Sequence, residues 1–560
     1  MSKLQQLLES AKTFEDRSKV MNGLIAKWEP YGLLEGAACN QTQYDKGHMA
    51  LILENELKRI LVETTNTNSG GSHFAAGSGE QWAGIALPMV RKVFGEITSK
   101  EFLSNQPMNM PYGLVFYLDF RYSNSSPGAF NGGTRFNAGD SIYGNTFTSS
   151  ITNNVDPFGG LYGAGRFGYS INDYNATVPT ASVTAATASF ADVNFNGYYS
   201  ASISSGSLTK VTIASASVNI SNLDVTAVRS FVFTSSAVKD SILLPEFTSY
   251  NQTFDQLQII VSGSVATNVS SSVVSGPISV YYSIKTKDNL RGDFENTAAA
   301  PLTGSNAIPS IDISPRSEDI TAKTRKLKYS YTQEAQQDYQ TFQSIDIEAE
   351  STSLLSEYIS KEIDLELLDL INQAANETTA VWSARSNRFF DPTTNTFSDQ
   401  AAGSGGYYNS QGEWFETLGT KIQQVSRKIH AKTQRGEANV LMCGPVIAAV
   451  IESISGYTSN SDGTKMEYAF GSKEAGKLKG KYKIIVNSYM QENTILMAFK
   501  GTNFLDTGGV FAPYIPLIST PLVYDPTTFQ MNKGLMTRYG KRILLPQFFG
   551  KVWVADLQSV

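Results

Sequence analysis

Two half-apolar segments on either side of a long Ser/Thr-rich stretch place the strongest constraint on how this chain folds. Within residues 106–122 and again within residues 324–331, side chains alternate with a period of two, the pattern of a strand that buries one face. One face of the first segment carries Leu114, Phe116, Leu118, Phe120 and Tyr122. On the second, Leu327, Tyr329 and Tyr331 oppose Lys326, Lys328 and Ser330. We predict that the two strands pair as a long hairpin arm with an inserted domain at its tip.

The length and the charge of the chain limit the classes of protein to which it can belong. A chain of 560 residues is long enough for about two to four domains. Charged residues make up 17%, the formal net charge is -6, and no segment is strongly basic. A dedicated nucleic-acid-binding protein normally concentrates positive charge on one face, so the composition argues against that class.

Cysteine content and hydropathy indicate where such a chain is made. Cys39 and Cys443 are too few for a disulfide framework, so we expect small buried residues in a reducing compartment. Residues 1–9 lack the apolar core of a signal peptide. The longest apolar run, residues 440–451, is interrupted by Gly-Pro and is too short to cross a bilayer. We therefore expect a soluble protein, made in the cytoplasm and not bound to a membrane.

The N-terminal residues 1–63 are predicted to be helical, because apolar side chains recur at helical spacing in three stretches. A linker rich in Thr, Asn, Gly and Ser follows at residues 64–72. Two interpretations fit this arrangement. The helices form either a removable or partner-binding segment or a small subdomain docked on the body.

Residues 123–320 differ in composition from the rest of the chain. Charges are sparse, and Val or Ile alternates with Ser or Thr around residues 211–213, 218–220 and 278–284. Short strands separated by polar turns are typical of a β-sandwich or barrel. Such a module can bind glycans, but it is more often only a solvated β domain.

The C-terminal half is predicted to combine long helices with strands. A helix over residues 345–377 would carry an apolar stripe, and a second helix over 414–434 ends before Gly436. Strands at 439–443, 482–486 and 494–499, with a helix that Pro445 opens, complete an α+β unit. Prolines in the tail from Gly508 predict irregular or edge strands. The predicted stripe of the long helix contains Leu354, Leu355, Tyr358, Ile359, Ile363, Leu367, Leu368 and Ile371.

Two glycine-rich motifs have the spacing of nucleotide-binding loops but not their context. Residues 163–168 match the dinucleotide-binding spacing but lie in a β-type region, whereas that motif joins a strand to a helix. Residues 471–477 have the phosphate-loop spacing, but Leu478 replaces the hydroxyl side chain that would hold magnesium. We interpret the second motif as a hairpin or loop.

No catalytic constellation is evident among the ionisable residues. His48, His73 and His430 lie far apart, and none stands near a cysteine at metal-ligand spacing. We interpret the carboxylates at positions 364, 366 and 369 as the solvated side of the long helix. The sequence therefore predicts no catalytic residue, no metal site and no cofactor, and a protein that is not an enzyme.

A set of short motifs identifies a family resemblance. In sequence order they are residues 86–92, 106–109, 111–116, 323–328, 336–338, 434–439, 511–514, 525–526 and 537–540. In these motifs and in their order the chain resembles the major capsid proteins of T4-like tailed bacteriophages. Outside the inserted stretch the resemblance covers roughly residues 80–122 and 320–545.

The resemblance implies an α+β, HK97-like capsid fold that carries an inserted all-β domain. Its parts would divide the chain by function. They are a helical N-terminal segment and removable propeptide at 1–63, an N-arm at 64–105, an extended loop with arms at 106–122 and 321–344, the inserted β-sandwich-like domain at 123–320, a peripheral domain with a long spine helix at 345–379 and 506–560, and an axial domain at 380–505.

The resemblance also implies a function and partners. The chain would assemble in the host cytoplasm as homo-hexameric capsomers and form the icosahedral head shell of the virion around phage DNA. Expected partners are neighbouring capsomers, a pentameric vertex protein, a scaffold and a prohead protease, decoration proteins, and packaged DNA by non-specific proximity only. The extended loop would contact a neighbouring subunit, with Phe116, Tyr117, Phe120, Lys326, Lys328 and Tyr329 as contact candidates.

Proteolytic processing is a further implication of the resemblance. The family's protease cuts after Glu in a Leu/Ile-x-Glu pattern, which occurs here at residues 61–63 and 33–35. Glu63 stands directly before the linker, and Glu35 is followed by the small residues preferred after the cut. Without processing, both glutamates are ordinary polar positions of amphipathic helices.

Two alternatives remain at this stage. A paralogous pentameric vertex capsid protein would share the fold. A β-rich glycan-binding surface protein would use residues 123–320, but it would leave the long helix and the C-terminal motifs unexplained.

Overall fold

A computed structural model describes the C-terminal half of the chain almost continuously and the N-terminal half in pieces. The described residues are 21–31, 34, 46–47, 49–54, 57, 101–108, 110–123, 126–127, 134–136, 173–178, 183–214, 232–234, 242–251, 255–262, 278–283, 311–343, 347–375, 379–391, 396–401, 407–433, 436–459, 472–501, 506–519, 523–525, 527–528 and 530–559.

Five α-helices have defined bounds within these residues, and residues 21–28, 46–47, 49–54 and 57 are helical as well. The five are α1 (Ser200–Ser204), α2 (Gln333–Gln343), α3 (Ile347–Ala374), α4 (Gln411–Thr433) and α5 (Pro445–Glu452). Within the same described residues, four short 3-10 helices lie at Glu29–Tyr31, Gly197–Tyr199, Pro546–Phe548 and Leu557–Ser559.

The described residues also form twenty-five strands. In chain order they are β1 (Ser104–Asn105), β2 (Tyr112–Tyr122), β3 (Ser126–Pro127), β4 (Thr134–Phe136), β5 (Asp173–Val178), β6 (Val183–Thr187), β7 (Leu208–Ala214), β8 (Val232–Thr234), β9 (Ile242–Asn251), β10 (Gln256–Ser262), β11 (Ile278–Ser283), β12 (Ile311–Thr321), β13 (Lys323–Thr332), β14 (Thr379–Ser383), β15 (Arg388–Asp391), β16 (Thr396–Asp399), β17 (Val440–Cys443), β18 (Tyr457–Ser459), β19 (Ser472–Leu478), β20 (Tyr482–Asn487), β21 (Thr494–Ala498), β22 (Gly509–Ser519), β23 (Val523–Tyr524), β24 (Gln530–Ile543) and β25 (Phe549–Ala555).

The long helix α3 packs against a five-stranded sheet in the order β1-β22-β24-β13, with β23 paired to β24. At 1.5 Å per residue its 28 residues extend about 42 Å. Apolar residues that recur four apart, from Leu355 to Ile371, are buried against sheet residues such as Leu535 and Tyr539. The shared core is therefore built from the helix stripe and one face of the sheet.

The predicted apolar stripe of α3 includes two residues that are exposed in the structure. Leu354 and Tyr358 are 49% and 47% exposed. Successive helical positions are separated by about 100°, so residues 354 and 358 point away from the buried row that starts at Leu355. Two apolar side chains of the long helix are therefore exposed in the single chain.

A seven-stranded sheet, in the order β14-β25-β21-β17-β20-β19-β18, lies between α3 and the pair α4 and α5. Strand β17 shows that the sheet is buried on both of its faces. Val440 and Met442 join the core that contains α3, whereas Leu441 and Cys443 join the core that contains α4. These elements confirm the predicted α+β unit. Residues 472–477 of the glycine-rich motif lie in strand β19, which forms a hairpin with β20.

Antiparallel strands dominate the described part of the Ser/Thr-rich stretch. One sheet has the order β6-β7-β10-β9 and another the order β5-β11-β8. The first encloses a small core with Val193, Tyr199, Leu208 and Phe247. The short helix α1 precedes β7, so this stretch is not purely β. Residues 218–220 and the glycine motif at 163–168 lie outside the described residues.

The predicted partner of β2 is wrong. Strand β2 pairs with β12, from Tyr112 opposite Thr321 to Tyr122 opposite Ile311. Residues 324–331 lie in β13, which pairs with β24 instead. Alternation marks a strand with one buried face but does not select its partner. The arm is therefore β2 with β12, and residues 311–320, which the prediction assigned to the inserted domain, belong to it.

Described pieces of the N-terminal segment pack on the body. Trp28, Ile52 and Leu53 are buried in the same core as α3, and Lys27 Nζ pairs with Glu54 Oε2 at 2.7 Å. In its described pieces the segment is therefore docked on the body, and docking is compatible with later removal. Glu35, Glu63 and the linker at 64–72 lie outside the described residues.

Candidate functional site

The arm exposes apolar side chains on one of its two faces. Tyr112 and Leu114 on β2 are 75% and 59% exposed, and Ile313 on β12 is 57% exposed. Residues paired across an antiparallel ladder share a face. Tyr112 and Leu114 stand opposite Thr321 and Asp319. We call Tyr112, Leu114 and Ile313 the arm face.

The opposite side of the arm is packed at its base. Val115, Tyr117 and Ile320 are buried together with residues of the main body that include Val510 and Phe548. Because successive strand residues point to opposite faces, burial of Val115 directs Leu114 into solvent. The base therefore holds the arm face outward.

Polar contacts reinforce the base of the arm. Tyr117 Oη donates to Glu318 Oε1 at 3.2 Å. Arg542 on β24 pairs with Glu318 Oε2 at 2.5 Å and donates to the carbonyl oxygen of Asp319 at 2.9 Å. Strand β12 is thus tied both to its partner strand and to the main sheet.

A second polar cluster joins the main sheet to α3 close to the start of β13. Arg325 Nε and Nη2 donate to Glu366 Oε2 at 3.0 and 2.5 Å. Lys541 Nζ pairs with Glu366 Oε1 at 2.5 Å, and Tyr539 Oη also donates to this carboxylate. Partial burial alone would raise the pKa of Glu366, but the hydrogen bonds from Lys541, Tyr539 and Arg325 outweigh it and lower this pKa from 4.5 to about 2.

The structure places the six predicted contact residues in different environments. Lys326 and Lys328 are exposed on β13, the last strand in the order of the main sheet, where lysines also discourage unwanted strand pairing. Tyr329 is half-buried, with its hydroxyl 3.3 Å from Thr352 Oγ1. Tyr117 lies in the core at the base of the arm.

The remaining two candidates are located by their backbone alone. Phe116 is paired with Ser317 and Phe120 with Ile313, and their side chains lie outside the described part of the structure. Ile313 belongs to the arm face, but the sequence analysis missed it because that analysis assigned the wrong partner strand. Tyr112 was overlooked although it lies inside the strand that was identified.

Two further pairs of exposed apolar side chains lie on α2 and α3, one pair on each helix. Tyr339 and Phe342 on α2 are 48% and 83% exposed. Residues three apart on a helix are neighbours, so these two rings share one face. Leu354 and Tyr358, four apart, do the same on α3. We call these four side chains the helix face.

The carboxylates of α3 are not all on a solvated face, contrary to the sequence interpretation. Asp364 is buried and accepts from Asn487 Nδ2 at 3.0 Å, and Glu366 forms the cluster with Arg325. Asp369 fits the interpretation, since it is exposed and accepts from Gln373 Nε2 at 3.1 Å. The prediction failed because the partners come from distant segments.

Other ionisable groups take structural positions. His430 is exposed near the end of α4. Cys443 is buried, as expected. Its burial and, to a smaller extent, the negative charge of the nearby Glu452 raise the pKa of its thiol to about 12. Within the described ranges, no group of three or more His, Cys, Asp or Glu side chains could hold a metal ion. Of the described helices, none is both long enough and apolar enough to span a membrane.

Comparison of the sequence with known proteins finds a matching family model and related proteins. The model of the family described as "Major capsid protein Gp23" matches residues 79–558. The major capsid protein of Enterobacteria phage T6 is 31% identical over 236 residues, which are 40% of this chain and 44% of that protein. For the major capsid protein of Enterobacteria phage T4 the identity is 30% over 230 residues, 40% of this chain and 42% of that protein. The chain thus spans less than half the length of these relatives.

Solved structures also resemble parts of the chain. A structure from Microbacterium phage Oxtober96 has a TM-score of 0.29 and 11% identity, and covers 46% of this chain and 80% of that one. The capsid structure of the Cyanophage P-SCSP1u has a TM-score of 0.29 and 11% identity, and covers 47% of this chain and 79% of that one.

Proposed function

Because this chain belongs to the Gp23 major capsid protein family, we propose that it is the structural subunit of a phage head shell. Homo-hexameric capsomers of the chain would form the icosahedral shell that encloses phage DNA. The observation that supports this role in the chain itself is the arm face, an apolar surface on a projecting pair of strands. In a single chain this apolar surface stays exposed to water, which does not stabilise the fold, whereas a neighbouring copy would cover it.

The proposed contact works because the arm is rigid at its base. Complete burial of a Leu or Ile side chain contributes about 1.5–3 kcal/mol, and covering the exposed 59% of Leu114 and 57% of Ile313 contributes a corresponding part of this. A loose arm would lose part of this gain to conformational entropy on docking. Burial of Val115 and the Arg542–Glu318 ion pair hold the arm in place beforehand. Repetition over many identical contacts would then stabilise a closed shell.

We assign the receiving surface to the helix face of the neighbouring copy. It offers Tyr339, Phe342, Leu354 and Tyr358, which are exposed in the single chain. Exposed Lys326 and Lys328 on β13 would add pairs with acidic side chains across the contact. Tyr117, which is buried, would act only by supporting the arm.

The family also supports a proposal for the architecture. The arm would be the extended loop of an HK97-like fold, α3 the spine helix of the peripheral domain, and the seven-stranded sheet with α4 and α5 the axial domain. The strands between residues 123 and 310 would form the inserted domain. Residues 1–63 would be the segment removed by a prohead protease, after Glu63 or Glu35.

The proposed partners follow from the same role. They are neighbouring capsomers and a pentameric vertex protein, together with a scaffold and the protease during assembly in the host cytoplasm. Decoration proteins would bind the finished virion, and packaged DNA would lie near the shell without specific contacts.

Electron microscopy of the purified chain, expressed with and without the phage's own folding chaperone, tests this function. Hexamers, tubes or closed shells are expected. Rings of five subunits would assign the chain to the vertex instead. Well-folded monomers under both conditions would contradict the shell function and would direct attention to glycan binding by the inserted stretch.

A further inference from the structure

A compact turn projects from the Ser/Thr-rich stretch at residues 188–199. Backbone bonds close it internally: Phe195 N donates to the carbonyl oxygen of Phe190 at 3.0 Å, and Asn196 N to that of Val193 at 3.1 Å. Asp192 accepts from Ser189 N and from Lys210 Nζ, both at 2.8 Å. Val193 is fully buried in the small core beneath. The turn is therefore firmly attached to the sheet β6-β7-β10-β9.

Phe195 stands in an unfavourable backbone conformation at the tip of this turn. Its φ is 54°, and the φ of the preceding Asn194 is 52°. A bulky aromatic residue rarely adopts the left-handed region, and such a conformation persists only where other contacts compensate for it. Glycine would adopt the same backbone without strain. A functional contact of the phenyl ring explains why phenylalanine stands here.

The ring of Phe195 contacts the main body of the chain. It stacks on Trp553 of β25 with 4.0 Å between centroids and 7° between planes. It also meets Phe390 of β15 at 5.9 Å, edge-on, and Phe397 of β16 at 6.4 Å. We call Phe390, Phe397 and Trp553 the socket.

The socket is itself held in place on the body. Strands β15 and β16 pair with each other, with Phe390 opposite Phe397. The Arg388 guanidinium lies 5.2 Å from the Phe397 ring centroid and pairs with Asp556 at 3.1 Å. The socket is therefore formed by body elements alone, independently of the turn that fills it.

We propose that Phe195 and the socket form an aromatic clasp that fixes the inserted sheet on the body of the same chain. The three ring contacts of Phe195 join the inserted part to the body. Stacking on Trp553 offsets the unfavourable backbone conformation of Phe195, and holding the two parts together is the function of this residue. The surface of the inserted sheet then keeps one orientation relative to the body. This inference does not require the chain to form a shell.

Pulsed electron paramagnetic resonance on the full chain tests the clasp. Spin labels at Ser205→Cys, on the inserted part, and His430→Cys, on α4, report the distance between the two parts in a Cys39→Ser background. Buried Cys443 does not react. Dilution with unlabelled protein restricts the signal to distances within one chain. The parent is expected to give one narrow distribution.

Two variants remove the clasp from opposite sides. Phe195→Gly removes the ring while relieving the backbone strain, so the turn keeps its fold, and Phe397→Ala changes only the socket. Phe195→Gly removes all three ring contacts and is expected to raise the undocked population by about tenfold or more, the scale of an aromatic pair. Phe397→Ala leaves the stack on Trp553 and is expected to raise it by a smaller factor. Both should broaden the distribution. Phe342→Ala, an exposed phenylalanine on α2, is the matched control and should leave it narrow. A distribution that stays narrow in either clasp variant, or that is broad in the parent, overturns the proposal.

Discussion

Arg325 on β13 and Glu366 on α3 form the contact that joins the main sheet to the long helix beside the base of the arm. Two guanidinium nitrogens of Arg325 reach the same carboxylate oxygen, Nη2 at 2.5 Å and Nε at 3.0 Å. Arg325 Nε also donates to Tyr539 Oη at 2.7 Å. Charge-assisted bonds of this kind are stronger than neutral ones and fix orientation. This pair therefore adds a directional contact to the apolar packing of α3 on the sheet.

The substitution Glu366→Gln should destabilise the chain by about 1.5–3 kcal/mol, the range for hydrogen bonds to charged groups. It removes the carboxylate that Lys541 pairs with and leaves Arg325 with only the more exposed Glu362. Urea unfolding of the two chains measures the difference. Glu362→Gln is the matched control, because Glu362 also pairs with Arg325 but its side chain is 58% exposed, and such pairs contribute at most about 1 kcal/mol. Equal effects of the two substitutions would refute the special role of Glu366.

Stability should depend on acid pH through Glu366. The folded-state pKa of this carboxyl is lowered from 4.5 to about 2, so the unfolded state binds the proton more readily than the folded one. Its stabilisation is complete above the unfolded-state value and is lost as the pH falls from 4.5 towards 2. The urea midpoint of the parent should therefore fall more steeply over this interval than that of Glu366→Gln. Parallel curves would disprove the linkage.

Gly476 should resist substitution for a steric reason. It lies at the irregularity in register between β19 and β20, and a Cβ there would stand 2.3 Å from the carbonyl oxygen of Thr458 and 3.0 Å from Tyr457 Oη. We expect Gly476→Ala to cost about 1–3 kcal/mol, as overpacking does, and to lower the thermal unfolding midpoint. Gly412→Ala is the control, since its nearest atom is Ser410 Oγ at 4.0 Å; an unchanged or higher midpoint is expected there. Similar losses in both variants would contradict this account.

Strong local patterns were sufficient to predict several elements of the body. The helices α3 and α4 and the strands β17, β20 and β21 lie within a few residues of their predicted bounds. Each has a clear period, and Pro445 and Gly436 mark a start and an end as expected. These elements depend on their own residues more than on distant partners.

Pairing of the arm could not be predicted in the same way. Strand β12 contains Pro315 and four charged residues between Asp312 and Asp319, so its pattern is weaker than that of β13. Pro315 is tolerated because β2 and β12 form a two-stranded ladder. The choice between β12 and β13 depends on the packing of Leu327 and Tyr329 against the core with α3, which the sequence does not reveal.

The sequence predicted the candidate site only in part, because the exposure of its residues depends on packing against distant segments. Alternation placed Leu114 on one face of β2, but Leu114 was not among the predicted contact residues. Both faces of β2 carry apolar residues, so the pattern did not tell which face would be exposed. Burial of Val115 and Tyr117 by distant residues such as Val510 and Phe548 decides it. The roles of Asp364 and Glu366 likewise depend on partners from other segments.

The assembly state of Leu114→Lys, measured by mass photometry and electron microscopy, tests the central claim most directly. A lysine at this 59% exposed position leaves the single chain folded, but docking would bury its charge at a cost of several kcal/mol per contact. The parent and the control Ser205→Lys, an exposed position in the inserted part, should form hexamers and shells. Leu114→Lys should remain monomeric with an unchanged circular dichroism spectrum and unfolding midpoint. Assembly of Leu114→Lys to the same extent as the parent would contradict the account.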